Sequence, residues 1–243
     1  MSSTTREGKL SNSERRRLLR IAQTLSSTYD DPRLGNKDDP LDELFYIILS
    51  AKTPESSFSR TYEALRSQFR DWFVILRSPP GTVASLIQLG GLSRKKEAQI
   101  RGLLHALDDW DAKNLRAALE PLDDASAEEL LCQLPGVGLK TARCVLVYSL
   151  GRSVFPVDAH TNRVLTRLGF TRGGRITNLV QDELQAIVPP KMRYSLHVNL
   201  VAHGRATCLA GLPACERCVV ASDCPRFRLP NSRQNSASTK AGK

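Results

Sequence analysis

A chain of 243 residues, 41% of them hydrophobic and carrying a formal charge of +10, is long enough to bury its own core without disulfide staples. No apolar run is long enough to span a bilayer, and the Ser- and Thr-rich first dozen residues lack the apolar segment of a secretion signal. Membrane and secreted classes are therefore set aside. The excess of 35 Lys and Arg over 25 Asp and Glu favours polyanionic partners, nucleic acid first.

Apolar residues recur at helical spacing over 13–29, where Leu18, Leu19, Ile21, Ala22 and Leu25 share a face. Ser13 is the expected N-cap, and Arg15, Arg16, Arg17 and Arg20 are expected to face solvent. A polar connection over 30–40 precedes 41–51, which is almost wholly apolar after Asp42 and Glu43 and reads as a buried helix with acidic residues in its first turn. Further helices are predicted over 55–69, 73–78, 81–89, 94–110, 115–119 and 126–134, and then over 140–150, closing at Gly151. Residues 155–158 read as extended. A helix over 160–168 ends at Gly169, and Pro189-Pro190 separates helices over 178–188 and 192–206. With no run of β-branched alternation, the expected fold class is all-α. The Ser-, Asn- and Lys-rich residues past Pro230 have little to bury and are expected to be disordered, as are 1–12.

Between two of the helices lies Leu134-Pro135-Gly136-Val137-Gly138-Leu139-Lys140-Thr141-Ala142. Its glycines permit a tight turn with positive φ and leave backbone N–H groups uncovered beside a helix N-terminus. Such a turn can grip a phosphate without reading base sequence. A plain helix–Gly–helix connection is the alternative for a bare Gly-x-Gly. Near the other end, Cys208, Cys215, Cys218 and Cys224 form Cys-x6-Cys-x2-Cys-x5-Cys. In a reducing compartment this clustering points to a metal centre rather than disulfides, and spacing alone leaves tetrahedral zinc and a [4Fe–4S] cluster both open. Cys132 and Cys144 lie in helices and are expected to be small buried apolar residues.

The hairpin segment resembles the helix-hairpin-helix motif of the endonuclease III family of DNA glycosylases. Further on, Phe155-Pro156-Val157-Asp158-Ala159-His160, whose Asp158 lies eighteen residues after Lys140, resembles the family's Val-Asp-x-His segment. The resemblance covers roughly 13–228. It implies Lys140 as nucleophile, Asp158 as catalytic carboxylate, Leu134, Gly136, Val137, Gly138 and Thr141 as DNA-binding hairpin residues, and a [4Fe–4S] cluster on the four cysteines. The residue types suit the chemistry. Breaking an N-glycosidic bond builds positive charge on the sugar, which a carboxylate stabilises. A neutral lysine can attack C1′, and the resulting Schiff base permits β-elimination. As simpler alternatives, Lys140 would be a solvated surface charge and Asp158 a helix N-cap.

By the same resemblance Lys52, in Ile48-Leu49-Ser50-Ala51-Lys52-Thr53, takes the place of the gap-filling glutamine, and Leu92, in Gly90-Gly91-Leu92, that of the wedge. The Arg94-Lys95-Lys96 run is expected to be a solvated basic face. Two departures from the family stand out: Lys52 itself, and the uncharged 209–214 loop where the family usually bears basic residues. Arg205, Arg217, Arg226 and Arg228 are the basic residues that would compensate. Ile47 and Ile48 stand where adenine-excising relatives carry a carboxylate, so damaged pyrimidines are the expected substrate. 5-Methylcytosine excision and a non-catalytic or redox-sensing role are the alternatives.

The expected molecule is bilobal: a six-helix domain over 34–152, a cluster domain from 13–33 with 153–229, and tails over 1–12 and 230–243. Double-stranded DNA with a damaged base or an abasic site is the expected partner of a monomer. The expected location is intracellular: the cytoplasm and nucleoid in a bacterium, or the nucleus or an organelle in a eukaryote.

Overall fold

The computed structural model describes residues 10–227. The disorder expected for 1–9 and 230–243 falls outside the described residues, as does Arg228. Every regular element among the described residues is helical, and no strand occurs. The helices are α1 Asn12–Tyr29, α2 Pro40–Ser50, α3 Glu55–Gln68, α4 Val74–Arg77, α5 Thr82–Leu86, α6 Ser93–Asp109, α7 Leu115–Leu119, α8 Asp124–Gln133, α9 Leu139–Ser149, α10 Ala159–Arg167, α11 Asn178–Ile187 and α12 Arg193–Ala206. None is long and apolar enough to cross a membrane.

The chain divides into two compact units. The larger takes 33–156 with 188–194, and the smaller takes 10–32, 157–187 and 195–227 of the described residues. In the larger unit α2 is apolar on nearly every side, so Leu41, Leu44, Phe45, Ile48 and Leu49 are all buried. Fully burying a side chain of this kind contributes about 1.5–3 kcal/mol. Asp39 caps the helix through Leu41 and Asp42 N–H groups, and Pro40 presets its first turn. Around α2 gather Tyr62 and Leu65 of α3, Ile100, Leu103 and Leu107 of α6, and Val145 and Leu146 of α9. Val154, in the extended segment after α9, joins the same core, and Gly151 takes the expected left-handed φ of 64°. Buried Arg143 of α9 pairs with Glu128 of α8 through two contacts at 2.8 and 3.2 Å, binding the arms of the hairpin together.

In the smaller unit α1 buries Leu18, Ile21, Ala22 and Leu25, while Leu19 stays 39% exposed. The helix begins at Asn12, inside the stretch expected as tail. The cap is Ser11 rather than Ser13, because Glu14 three residues on completes a reciprocal capping box with Ser11. Arg17 is not a free solvent charge either: it donates to the Asp223 carbonyl at 3.0 Å and lies over Phe170. Cys144 is buried as expected but Cys132 is exposed, since it falls on the outer side of α8, whose buried positions are Ala127 and Leu131.

Candidate functional site

The hairpin is built as α8 ends and α9 begins. Leu134 closes α8 and is buried, with Val137 N–H returning to its carbonyl at 3.0 Å. Gly136 has φ +75°, and a side chain there would run into the Gln99 amide, whose Nε2 donates to the Gly136 carbonyl at 3.1 Å. The positive φ favours glycine at 136, and a side chain there would also displace Gln99 from its hydrogen bond. Gly138 differs from the expectation of positive φ: it is extended at φ −101°, with nothing within 4 Å of a would-be Cβ. It serves as N-cap of α9 without any side-chain hydrogen bond to the first turn. The amides at the start of α9 thus have no side-chain cap, which makes this helix end suited to an anion. Val137 is buried and anchors the turn, while Thr141 is half-buried.

Lys140 is half-buried in that first turn. Glu43 of α2, fully buried, is close enough to feel its charge. Burial pushes the Glu43 carboxyl up to about 7, against the Lys37 amide, the Asn36 side chain and the charges of Lys140 and Lys37, all of which draw it down. Nothing in the sequence beyond an acid inside an apolar helix marked Glu43.

Lys52 and Leu92 lie on two separate loops of the same unit. Both are exposed, Leu92 at 53%, so Leu92 is not a core leucine. Both adopt left-handed backbone, with φ of 53° and 52°, a conformation that costs non-glycine residues about 1–2 kcal/mol. The loops are tied together: the Thr53 hydroxyl donates to the Gly90 carbonyl at 2.5 Å. Arg94 and Lys95 are exposed as expected, but Lys96 is 3% exposed. Its Nζ donates to the Leu49 carbonyl at 2.7 Å, the Thr53 hydroxyl at 2.7 Å and the Gly90 carbonyl at 2.9 Å. Helical phase explains the correction, since Lys96 shares a face with Ile100, Leu103 and Leu107.

Asp158 belongs to the smaller unit. It is the N-cap of α10, accepting from Thr161 N–H at 2.7 Å, so its capping role is real. His160 is half-buried, with Nδ1 3.1 Å from Arg163, and a side chain at Gly204 of α12 would clash with its ring. The last turns of α10 hold the cysteine segment. Arg163 donates to the carbonyls of Cys208 and Gly204, both at 3.0 Å. Arg167 donates to those of Leu209 and Ala210 at 2.6 and 3.0 Å, and its Nη1 lies 3.2 Å from Cys208 Sγ. These two arginines, four residues apart, organise the uncharged loop from behind, a role no sequence pattern announced.

Cys208, Cys215, Cys218 and Cys224 line one pocket, with Arg167, His203 and Val220 among its other walls. None of the four is in a disulfide. Burial pushes the Cys218 thiol up; the Val220 amide opposes this, and the nearby Cys208, Cys224 and Cys215 add to the rise. His203 Nε2 lies 3.6 Å from Cys218 Sγ, and its Nδ1 is 2.9 Å from the Tyr29 hydroxyl. Four soft sulfurs bordering one pocket suit a polynuclear iron–sulfur group.

No family model matches the chain. It is 30% identical to endonuclease III of Escherichia coli over 195 residues, covering 78% of this chain and 85% of that protein. Endonuclease III of Thermotoga maritima is 27% identical, with 81% and 88% covered. An Arabidopsis thaliana protein named as a DNA glycosylase is 32% identical over 172 residues, and the chain spans 58% of its length. Among solved structures, a non-covalent endonuclease III–DNA complex superposes with a TM-score of 0.78 over 90% of this chain at 24% identity. A thermostable thymine-DNA glycosylase does so with 0.75 at 19% identity. These two likenesses bear on the fold.

Proposed function

Because the chain belongs to the endonuclease III family of DNA glycosylases, we propose that it removes oxidised pyrimidines from duplex DNA and cleaves the resulting abasic site as a lyase. Lys140 is the nucleophile and Asp158 its carboxylate partner. The observation that carries this reading is the start of α9. Lys140 stands in the first turn of a helix whose leading amides no side chain caps, directly behind the left-handed turn at Gly136. A backbone phosphate held by those amides brings the adjoining sugar to the lysine.

The sequence of bonds follows from the groups. As the N-glycosidic bond breaks, the base leaves with the bonding pair and takes up a proton, and the Asp158 carboxylate stabilises the cationic sugar. The neutral Lys140 amine bonds to C1′ and sheds a proton; the C1′–O4′ bond then breaks, O4′ takes up a proton as a hydroxyl, and the opened sugar is left joined to the lysine as an imine. The imine acidifies the C2′ proton; its loss expels the 3′ phosphate, and hydrolysis of the imine returns the lysine. Thr161 N–H keeps the Asp158 carboxylate oriented throughout. Cys208, Cys215, Cys218 and Cys224 would hold a [4Fe–4S] cluster, which supplies cross-links for the 208–224 segment rather than a reaction step. Lys52 and Leu92 enter the opened duplex, filling the gap and wedging the stack.

Borohydride trapping on a duplex with an abasic site tests the assignment. Wild type should form a covalent adduct, and Lys140→Ala should form none while binding the duplex as tightly. An undiminished adduct in Lys140→Ala, or none with folded, iron-loaded wild type, overturns it. A panel of duplexes with oxidised pyrimidines, 5-methylcytosine and thymine mismatches then reads the base preference.

A further inference from the structure

The Lys96 ammonium is buried, yet among the described residues no carboxylate pairs with it; its partners are two carbonyls and a hydroxyl, from Leu49, Gly90 and Thr53. An ammonium has three protons to donate, and all three are used. One acceptor, the Leu49 carbonyl, lies in the last turn of α2, where backbone oxygens lack helical partners. The second, Thr53, follows Lys52 directly, and the third, Gly90, lies two residues before Leu92. The Thr53–Gly90 hydrogen bond closes the ring from the other side. The two tips it joins are both exposed and both held in left-handed backbone, a conformation that persists only where the surroundings enforce it. One turn further along α6, Gln99 grips the Gly136 carbonyl of the hairpin. A single helix thus mounts both loop tips and the phosphate-binding turn.

We propose that Lys96 is a positioning residue whose ammonium locks the Lys52 loop to the Leu92 loop, so that the two side chains enter the duplex as one rigid body. This rests on the reading that Lys52 and Leu92 do the opening. Without the clamp each tip relaxes to an ordinary backbone conformation, and the side chains no longer arrive together. Lys96 touches no DNA, so its loss acts on opening and leaves phosphate binding alone.

The test compares Lys96→Met and Thr53→Val with Lys52→Ala and Leu92→Ala, in the full chain with its cysteine site loaded. Three readouts are taken: affinity for a duplex bearing a tetrahydrofuran abasic analogue, fluorescence of 2-aminopurine opposite the site, and single-turnover borohydride trapping. Trapping is run on a fully paired abasic duplex and on one with the site inside a pre-opened mismatch bubble. Lys96→Met should bind normally, lose 2-aminopurine signal and trap about tenfold more slowly or worse on the paired duplex. On the bubble it should return to within about twofold of wild type, a rescue that general damage to the fold does not give. Thr53→Val, which removes one acceptor and keeps the charge, should show the same pattern more weakly and carries the test if Lys96→Met does not fold. Equal losses on paired and bubble duplexes overturn the clamp. So does an unaffected Lys96→Met or Thr53→Val beside impaired Lys52→Ala and Leu92→Ala. If Lys52→Ala and Leu92→Ala both behave as wild type, the duplex-opening reading fails and the clamp falls with it.

Discussion

The two units of this chain are held by different means. Every buried Phe, Tyr and Trp among the described residues lies in the larger unit, where Phe45 meets Trp72 edge to face and Tyr62 packs tilted against the same indole. The smaller unit buries aliphatic side chains and polar groups such as Thr161, Asn199 and His203, and its final segment is a chain of turns around a pocket of thiols. An aromatic core distributes its stability over many contacts and yields by degrees. A segment held by two arginines, and by the cluster proposed on its four cysteines, depends on a few bonds, any one of which matters greatly.

Substitutions can break this contrast. Cys218→Ser should have the largest effect: loss of iron and its visible absorption, with the melting temperature lower by about 10 °C or more, and proteolysis that begins in 208–224. A melting curve unchanged from wild type would show that the segment is self-supporting. In the larger unit, Leu146→Ala, at a fully buried position, should cost about 2–5 kcal/mol in chemical denaturation while leaving the iron absorption intact.

Glu43 gives a pH signature to the same unit. Its folded carboxyl is raised to about 7 from an ordinary value of 4.5, so between those values the folded state binds more protons than the unfolded chain. Stability should therefore fall as pH rises through this window and level off above it. Glu43→Gln should flatten that slope in melts taken from pH 4 to 9; a slope identical to wild type would place the titration elsewhere.

Asp158→Ala removes a cap and should cost about 1 kcal/mol of stability in addition to any loss of turnover. Asp158→Asn keeps the cap, so its melting curve should match wild type while base release slows severely. Smallest for the fold is Gly138→Ala, where an extended backbone and open space admit a methyl group. Its melting curve should not move, while affinity for abasic duplex weakens about tenfold because the methyl takes up open space that a phosphate approaching α9 would need. Unchanged affinity would mean that those amides do not meet phosphate.

The sequence made the helices and the hairpin legible because both are written locally. Apolar spacing marks a buried face, and a pair of glycines marks a turn. Which glycine turns left is not legible: Gly136 does and Gly138 does not, and the side chain that binds the turned carbonyl, Gln99, lies 37 positions away. Lys96 was misread as solvated because its neighbours Arg94 and Lys95 are, although its phase with Ile100 and Leu103 already pointed inward. Ser11 was passed over for Ser13, which is nearer the apolar face, yet only Ser11 has a glutamate at the spacing a capping box needs. Arg163 and Arg167 left no trace, since side chains that reach carbonyls more than 40 residues on have no local signature.

Asp158 caps α10 through one oxygen while the reaction proposed for it calls on its charge. Asparagine would satisfy the helix equally well. A single G-to-A transition in the aspartate codon would therefore leave a protein that is made, folds and occupies its lesions but does not repair them. Such an allele would escape quality control, and by shielding damage from other repair it would act dominantly rather than as a simple loss.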